Sequence, residues 1–202
     1  MEDAAFADSF TAAMDCRGVY LGAAAARALD MRGRTHLLDV AGGSGIYACA
    51  IVARHPHLRA TVLEKPPVDA VARRSIERRG LSAKVDVLAG DMLAAEFPTG
   101  CDAHLISNVL HDWDEPVVKQ LLEKSFRSLP PGGMLVIHDA HLNESKTGPL
   151  PVAKYSALLM HSTEGKCYSV GEIGGYLREI GFEAMQFTPT EADRSVVTAR
   201  KK

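Results

Sequence analysis

Three glycines within four residues, Gly42, Gly43 and Gly45, separate the apolar run His36–Ala41 from a helical stretch beginning at Ile46. Glycine lets a backbone turn tightly and lets a ligand come within contact distance of the main chain. The helix that follows turns its first amides toward whatever anionic group sits there. A strand, a glycine loop and a helix in that order form a nucleoside-cofactor loop. Asp39, inside the apolar run, adds a carboxylate near the carboxyl end of a strand. Such a charge is expensive unless paired, and a cationic aminoacyl group, directly or through water, would be a suitable partner. Glu64 lies 19 residues beyond Gly45, the spacing at which an acidic side chain reads ribose hydroxyls.

The loop alone leaves two cofactors open. Gly43-Ser44-Gly45-Ile46-Tyr47-Ala48 satisfies the dinucleotide fingerprint G-x-G-x-x-[GA]. A nicotinamide dinucleotide therefore fits, and Glu64 serves any adenosine-bearing ligand. Asp39 and an antiparallel pair of strands at the end of the chain favour S-adenosylmethionine instead. A glycine-rich turn with no ligand is the remaining reading. Ligands of an open parallel sheet sit outside the carboxyl ends of its strands. The third apolar run ends there in Gly90-Asp91-Met92, a carboxylate and a flat apolar surface for adenine, and the fourth in Ser107-Asn108-Val109-Leu110-His111-Asp112-Trp113.

The elements that must position these residues are legible in the spacing. Strand-like runs fall at His36–Ala41, Ala60–Glu64, Val85–Ala89, His104–Val109 and Met134–His138, with helical stretches at Ile46–His55, Pro67–Arg79 and Glu115–Ser128 between them. Continuous apolar strands alternating with helices predict an α/β fold with a doubly wound, mostly parallel sheet. Helices follow at Val152–Thr163 and Val170–Ile180, then strands at Phe182–Thr188 and Ser195–Arg200. The link between these last two is too short for a crossover helix, so they pair antiparallel and complete a seven-stranded sheet. The Ala-rich stretch from Ala4 to Asp30 reads as helix broken around Arg17-Gly18. It divides the chain into a leading helical segment, 1–30, and a cofactor-binding catalytic domain, 31–202.

Bulk properties narrow the function class. Of the 202 residues 47% are hydrophobic and 24% charged, enough for one substantial core. A net charge of -2 supplies no basic field for nucleic acid. No apolar run approaches the roughly 20 residues that span a bilayer, and the acidic start, Met1-Glu2-Asp3-Ala4, is unlike a signal peptide. Cys16, Cys49, Cys101 and Cys167 are too dispersed for a zinc ribbon or a disulfide scaffold. The expectation is a cytoplasmic protein whose partner is a small molecule, with no nucleic acid, membrane or metal.

In ordered combination these motifs resemble the plant, fungal and bacterial small-molecule O-methyltransferases, the group containing caffeate-type and acetylserotonin-type enzymes. The resemblance is nearest to actinobacterial members acting on polyketide or other aromatic hydroxyls. It rests on Leu37-Leu38-Asp39-Val40-Ala41-Gly42-Gly43-Ser44-Gly45, Val62-Leu63-Glu64-Lys65-Pro66-Pro67-Val68, Gly90-Asp91-Met92, Asn108-Val109-Leu110-His111-Asp112-Trp113 and Leu129-Pro130-Pro131-Gly132-Gly133, over about residues 10 to 200. It implies that Gly42 contacts the aminoacyl end of S-adenosylmethionine and Glu64 the ribose. It further implies that Asp91 and Met92 hold the adenine and Trp113 shields it. His111 becomes the general base that takes the proton from a hydroxylated substrate, oriented by Asp139. Imidazole titrates near neutral pH and suits that task, since a phenol with a pKa near ~10 is a poor nucleophile when protonated.

Departures from the family pattern bear on the site. Relatives often carry Lys at Ser107, a position on the adenine side, and a second acidic partner of the base falls at Cys167, with Glu164 nearby. Family members also carry an N-terminal helical domain that dimerises and closes the substrate pocket, of which residues 1–30 are a remnant. The chain then reads as a fragment, a natural short form or half of a split enzyme, with a homodimer weakened accordingly. Rival readings on the same scaffold are a cofactor-binding relative that does not methylate, either hydroxylase-like or a non-catalytic partner, and an NAD-dependent oxidoreductase.

Other chemistry-bearing residues receive ordinary readings. His55, His57 and His104 are structural, and His138 and His141 point to opposite faces of a strand, which excludes shared metal ligation. Asp112, Asp114 and Glu115 form a charge cluster at a helix N-terminus, with Pro116 in its first turn, in preference to a Mg2+ site. Tyr155, Leu158, Leu159 and Met160 fit either a pocket lining for an aromatic molecule or plain helix core.

Overall fold

The computed structural model describes residues 3–202. In chain order the elements are α1 (Ala4–Ala28), β1 (His36–Val40), α2 (Ile46–Arg54), β2 (Arg59–Glu64), α3 (Val68–Arg78), β3 (Val85–Ala89) and β4 (Ala103–Ser107). A 3-10 turn (Leu110–Asp112) then leads to α4 (Glu115–Ser128), β5 (Met134–Asp139), α5 (Leu150–Ser162), α6 (Val170–Ile180), β6 (Phe182–Pro189) and β7 (Ser195–Lys201). The strands form one sheet in the order β3-β2-β1-β4-β5-β7-β6. β1 to β5 are parallel, and β7 runs antiparallel to both β5 and β6. The predicted fold class, hairpin included, is the observed one.

Alternation along buried strands sorts the core into two layers. Leu37, Val62, Leu105 and Val136 pack with Leu21 of α1 and Ile51 of α2 on one face. Leu38, Leu63, Ile106 and Ile137 pack with Leu121 and Leu122 of α4 and Leu177 of α6 on the other. Local chemistry sets the helix ends. Asp114 caps α4 by accepting the Val117 amide, with Pro in the first turn, and Ser169 and Glu172 form a reciprocal capping box on α6.

The leading helix differs from expectation. α1 runs through Arg17-Gly18 without a break. Gly18 is a contact point: a Cβ there would lie 2.8 Å from Ile46 Cγ2, so its absence lets α1 settle against the start of α2. Glycine at roughly 1 kcal/mol against Ala is a tolerable interruption when tertiary packing supports both sides of it.

Two buried basic residues were not legible as such. Lys124 of α4 is 3% exposed, and its ammonium donates to the carbonyls of Met92 (2.9 Å), Leu93 (2.6 Å) and Ala95 (2.9 Å). Three strong donors meet three loop acceptors, which fixes the segment after β3. His104, near the start of β4, is fully buried but not the satisfied structural histidine expected: neither ring nitrogen has a partner among the described residues, and it meets the Phe97 ring edge to face with centres 6.0 Å apart. Burial pushes its pKa down to about 3.

A stability prediction follows from His104. Its folded pKa lies below the ordinary 6.5 or so, so the unfolded chain gains a proton that the folded chain refuses. Stability is intact above about pH 6.5 and falls toward pH 3, by about 1.4 kcal/mol per pH unit for one proton. His138, pushed down to about 4, acts in the same direction. His141 is shifted the same way, and His104→Leu removes the His104 contribution alone. Urea unfolding should show the variant gaining about 2 kcal/mol more at pH 5 than at pH 7.5, whereas equal gains at both pH values would contradict this account.

Candidate active site

The sheet order reverses between β1 and β4, so the loops leaving these two strands diverge and open a crevice at their carboxyl ends. Asp39 and Val40 of β1 sit beside Leu105 and Ile106 of β4 at that point. Asp39 is completely buried. Its Oδ2 accepts the Ala48 amide at 3.3 Å and its Oδ1 has no partner among the described residues. Burial holds its carboxyl up, at about 7. A buried carboxylate with an orphaned oxygen is a receptor for a cationic group. Gly42 keeps the approach open, since a Cβ there would lie 2.6 Å from the Asp39 carboxyl.

The loop itself is held by Glu64 at the end of β2. Its Oε2 accepts the Gly43 amide at 3.0 Å and its Oε1 the Lys65 amide at 2.9 Å. Burial raises the Glu64 pKa, a rise these two amides oppose. Gly45 begins α2 with φ 74°, a left-handed conformation that glycine adopts without strain. The Ser44 hydroxyl donates to Asp15 of α1 at 2.5 Å, and Asp15 in turn pairs with Arg79 at 2.7 Å. The leading helix is thereby tied to the loop. Asp91 lies exposed just beyond β3, its Oδ1 accepting the Leu93 amide at 2.8 Å. Met92, next to it, is partly buried, and the backbone on its far side hangs from Lys124.

His111 and Asp139 meet across the ends of β4 and β5. His111 Nδ1 and Asp139 Oδ1 are 2.6 Å apart, and the two side chains are 4% and 5% exposed. Asp139 is anchored from behind by the Ala140 amide at 2.7 Å. Burial alone would raise the Asp139 pKa, but the imidazole beside it outweighs burial and holds it at about 2. Burial likewise disfavours the charged His111, and the Asp139 carboxylate overcomes that, leaving its pKa above the ordinary value. With Nδ1 committed to Asp139, Nε2 is the nitrogen left for chemistry. It faces the Tyr155 hydroxyl at 3.4 Å and Asp112 Oδ1 at 3.6 Å.

Several site residues occupy places that the spacing did not foretell. Asp112 belongs to the 3-10 turn, not to the start of α4, where Asp114 alone caps the helix. The second carboxylate near the imidazole is therefore Asp112, adjacent in sequence to His111. Cys167 is buried, its thiol pushed up to about 12 by burial, and Glu164 is exposed. The Ser107 hydroxyl is engaged by His138 Nδ1 at 2.9 Å and by the Asn108 amide at 3.1 Å. His141 Nδ1 bonds Ser195 Oγ at 2.8 Å, so the two histidines of this strand end have separate partners. Trp113 packs at the edge of the core and accepts the Tyr168 hydroxyl at its carbonyl. Of the α5 residues, Leu159 is core and Leu158 and Met160 are exposed, whereas Tyr155 reaches the imidazole.

Comparison with known proteins identifies the family and the fold. The family model of the O-methyltransferase domain matches residues 1–183. A 3-hydroxy-5-methyl-1-naphthoate 3-O-methyltransferase of Streptomyces sahachiroi is 35% identical over 156 residues, 77% of this chain and 45% of its own length. Among solved structures, an O-methyltransferase family 2 protein of Planctomyces limnophilus in complex with apigenin superposes with a TM-score of 0.94. It is 35% identical, and the match covers all of this chain and 62% of that one. Human N-acetylserotonin methyltransferase in complex with SAM gives a TM-score of 0.89 at 27% identity, covering 96% of this chain and 55% of that one. The chain thus spans about half the length of the curated relative it matches. On the match of the family model and on this identity, the chain belongs to the O-methyltransferase domain family.

Proposed function

We propose that this chain is the catalytic part of an S-adenosylmethionine-dependent O-methyltransferase whose acceptor is a hydroxyl on a small aromatic or polyketide-type metabolite. Residues 31–202 act as the cofactor-binding catalytic unit, and the segment 1–30 closes one side of it. The observation that carries the reading is the buried His111–Asp139 pair, 2.6 Å apart, which leaves Nε2 with only a long 3.4 Å contact to the Tyr155 hydroxyl and a 3.6 Å contact to Asp112, on the same sheet end as the orphaned Asp39 oxygen. The relatives' substrates, a hydroxynaphthoate and N-acetylserotonin among them, support an aromatic acceptor.

The cofactor supplies an electrophilic methyl group on a sulfonium centre. Asp39 and Gly42 would receive its aminoacyl end, Glu64 its ribose, and Asp91, Met92 and Trp113 its adenine, with Gly43 and Gly45 shaping the loop and Ser107 lying on the same side. His111 Nε2 accepts the acceptor's hydroxyl proton, and Asp139 holds the ring in one orientation and stabilises the imidazolium that forms. Asp112 adds a second negative charge near that proton. The rest of the rate comes from alignment of the two reactants.

Three measurements test the reading. Calorimetry should detect S-adenosylhomocysteine and no comparable affinity for NAD; tight NAD binding alone would overturn it. His111→Ala should lower kcat for a phenolic acceptor by about 10² or more, and full activity in that variant removes the base. Asp139→Asn takes away the charge that lifts the His111 pKa, so burial prevails and the pKa falls. A base must be neutral to act, so activity is lost below its pKa. In Asp139→Asn the acidic limb of kcat/KM against pH should move to lower pH while the plateau drops.

A further inference from the structure

Arg194 is a guanidinium at the reactive end of the sheet that the catalytic scheme leaves unused. It sits in the tight turn between β6 and β7. The Arg194 amide donates to the Glu191 carbonyl at 3.2 Å and the Thr190 amide to the Arg194 carbonyl at 2.8 Å. Ala192 and Asp193, between them, have φ 52° and 56°, the double left-handed pattern that closes the shortest hairpins. Ser195, the next residue, stands opposite Asp139 in the β5–β7 ladder. The turn therefore delivers Arg194 to the lip of the crevice, beside the carboxylate that orients His111.

The side chain crosses the end of β5 rather than entering solvent. Its Nε donates to Asn108 Oδ1 at 3.2 Å, and its Cζ lies 4.9 Å from the centre of the Tyr155 ring. That ring is itself edge-on to His111, with centres 5.6 Å apart. The hydrogen bond to Asn108 is the only one its side chain makes among the described residues, and no carboxylate of those residues lies within 4.0 Å of it. Both terminal nitrogens are thus available as a planar fork, about one aromatic ring away from Nε2. Its charge also disfavours protonation of His111, His138 and His141, as an unneutralised cation does. Arg194 also lines a pocket of about 520 Å³ with Leu142, Pro149, Val170, Phe187 and Pro189, in which Glu144 and Asp193 are the acidic residues. His111 and Tyr155 are not part of that lining, so the side of Arg194 that bears on Nε2 is the one facing Tyr155.

We propose that Arg194 selects the acceptor, holding a carboxylate borne on the aromatic ring system while the hydroxyl of that ring system faces His111 Nε2. The inference rests on the acceptor reading above and adds the acceptor's charge. A guanidinium fork matches a carboxylate in two parallel hydrogen bonds, and the Tyr155 ring between Arg194 and His111 offers an aromatic surface to the acceptor. An acceptor with one acidic group and an otherwise apolar framework fits this combination, and a neutral phenol leaves the arginine unpaired.

Equilibrium titration of the purified chain, saturated with S-adenosylhomocysteine, with 6-hydroxy-2-naphthoate and with 2-naphthol tests it by fluorescence. The naphthoate should bind roughly 30-fold more tightly, the equivalent of about 2 kcal/mol. Arg194→Met should bring that ratio to near one without changing naphthol affinity, and Arg194→Lys should fall between, keeping the charge but losing the fork. Equal binding of the two probes by the native chain, or no binding of either, overturns the proposal. So does a preference that survives Arg194→Met, or a variant that weakens both probes alike, which is the mark of a structural role. Methyl transfer is followed in parallel. Its absence alongside an Arg194-dependent preference would sink the methyltransferase reading while leaving the acceptor site standing.

Discussion

Everything in this molecule depends on the reversal of strand order between β1 and β4. Two parallel neighbours whose connections depart to opposite sides cannot cover the gap between their carboxyl ends, so a cleft is left where backbone is otherwise hard to solvate. The glycine loop occupies one wall of that cleft. The turn bearing His111 occupies the other, and the end of β5 brings Asp139 against it. None of these groups is close in sequence to all the others. Their convergence is a property of the sheet, and the helices on both faces serve chiefly to keep the sheet dry and rigid.

Charge is handled differently at each position in the cleft. The buried carboxylate of Asp139 is compensated by an imidazole, that of Glu64 by two loop amides. Lys124 is compensated by three carbonyls and makes a wall of the site rigid. Asp39 has one weak amide contact. The fully compensated groups hold the architecture, and the incompletely compensated ones, Asp39 and Arg194, are where ligand charge is called for. That division follows from the expense of burying an unpaired polar group.

The sheet was legible because its strands are short, apolar and bounded by glycine or proline; β3, α4 and α6 fall where periodicity put them. The placement of the glycine loop beside Asp39 and Glu64 is legible for the same reason, since it depends on residue type and local spacing. Gly18 misled, because whether a glycine breaks a helix or admits a neighbour depends on what packs there, and Ile46 is 28 residues away. Asp112 reads as part of the charge cluster before α4 because the cap lies two residues on, whereas its carboxylate turns to the imidazole beside it. Tyr155 reads only as one of several apolar residues on α5, and although the β6–β7 hairpin is legible, nothing near Arg194 signals that β7 pairs with β5 and so brings its turn to the end of that strand. Contacts between distant elements carry no local signature. The Leu158 and Met160 side chains show the converse: helical spacing with no burial behind it.

The weakened acidity of the buried Asp39 has a consequence beyond its fit to a cation. A carboxyl held at about 7 is shared between its two protonation states at neutral pH. A cation seated against it favours the ionised state alone, so occupancy of the cleft expels a proton. Ligand uptake and hydrogen-ion release are then one linked equilibrium, and the cleft retains a cationic ligand more firmly as the surroundings become more alkaline. On the proposed reading, in which Asp39 receives the cationic end of the cofactor, occupancy responds to pH through a group other than the imidazole assigned as base.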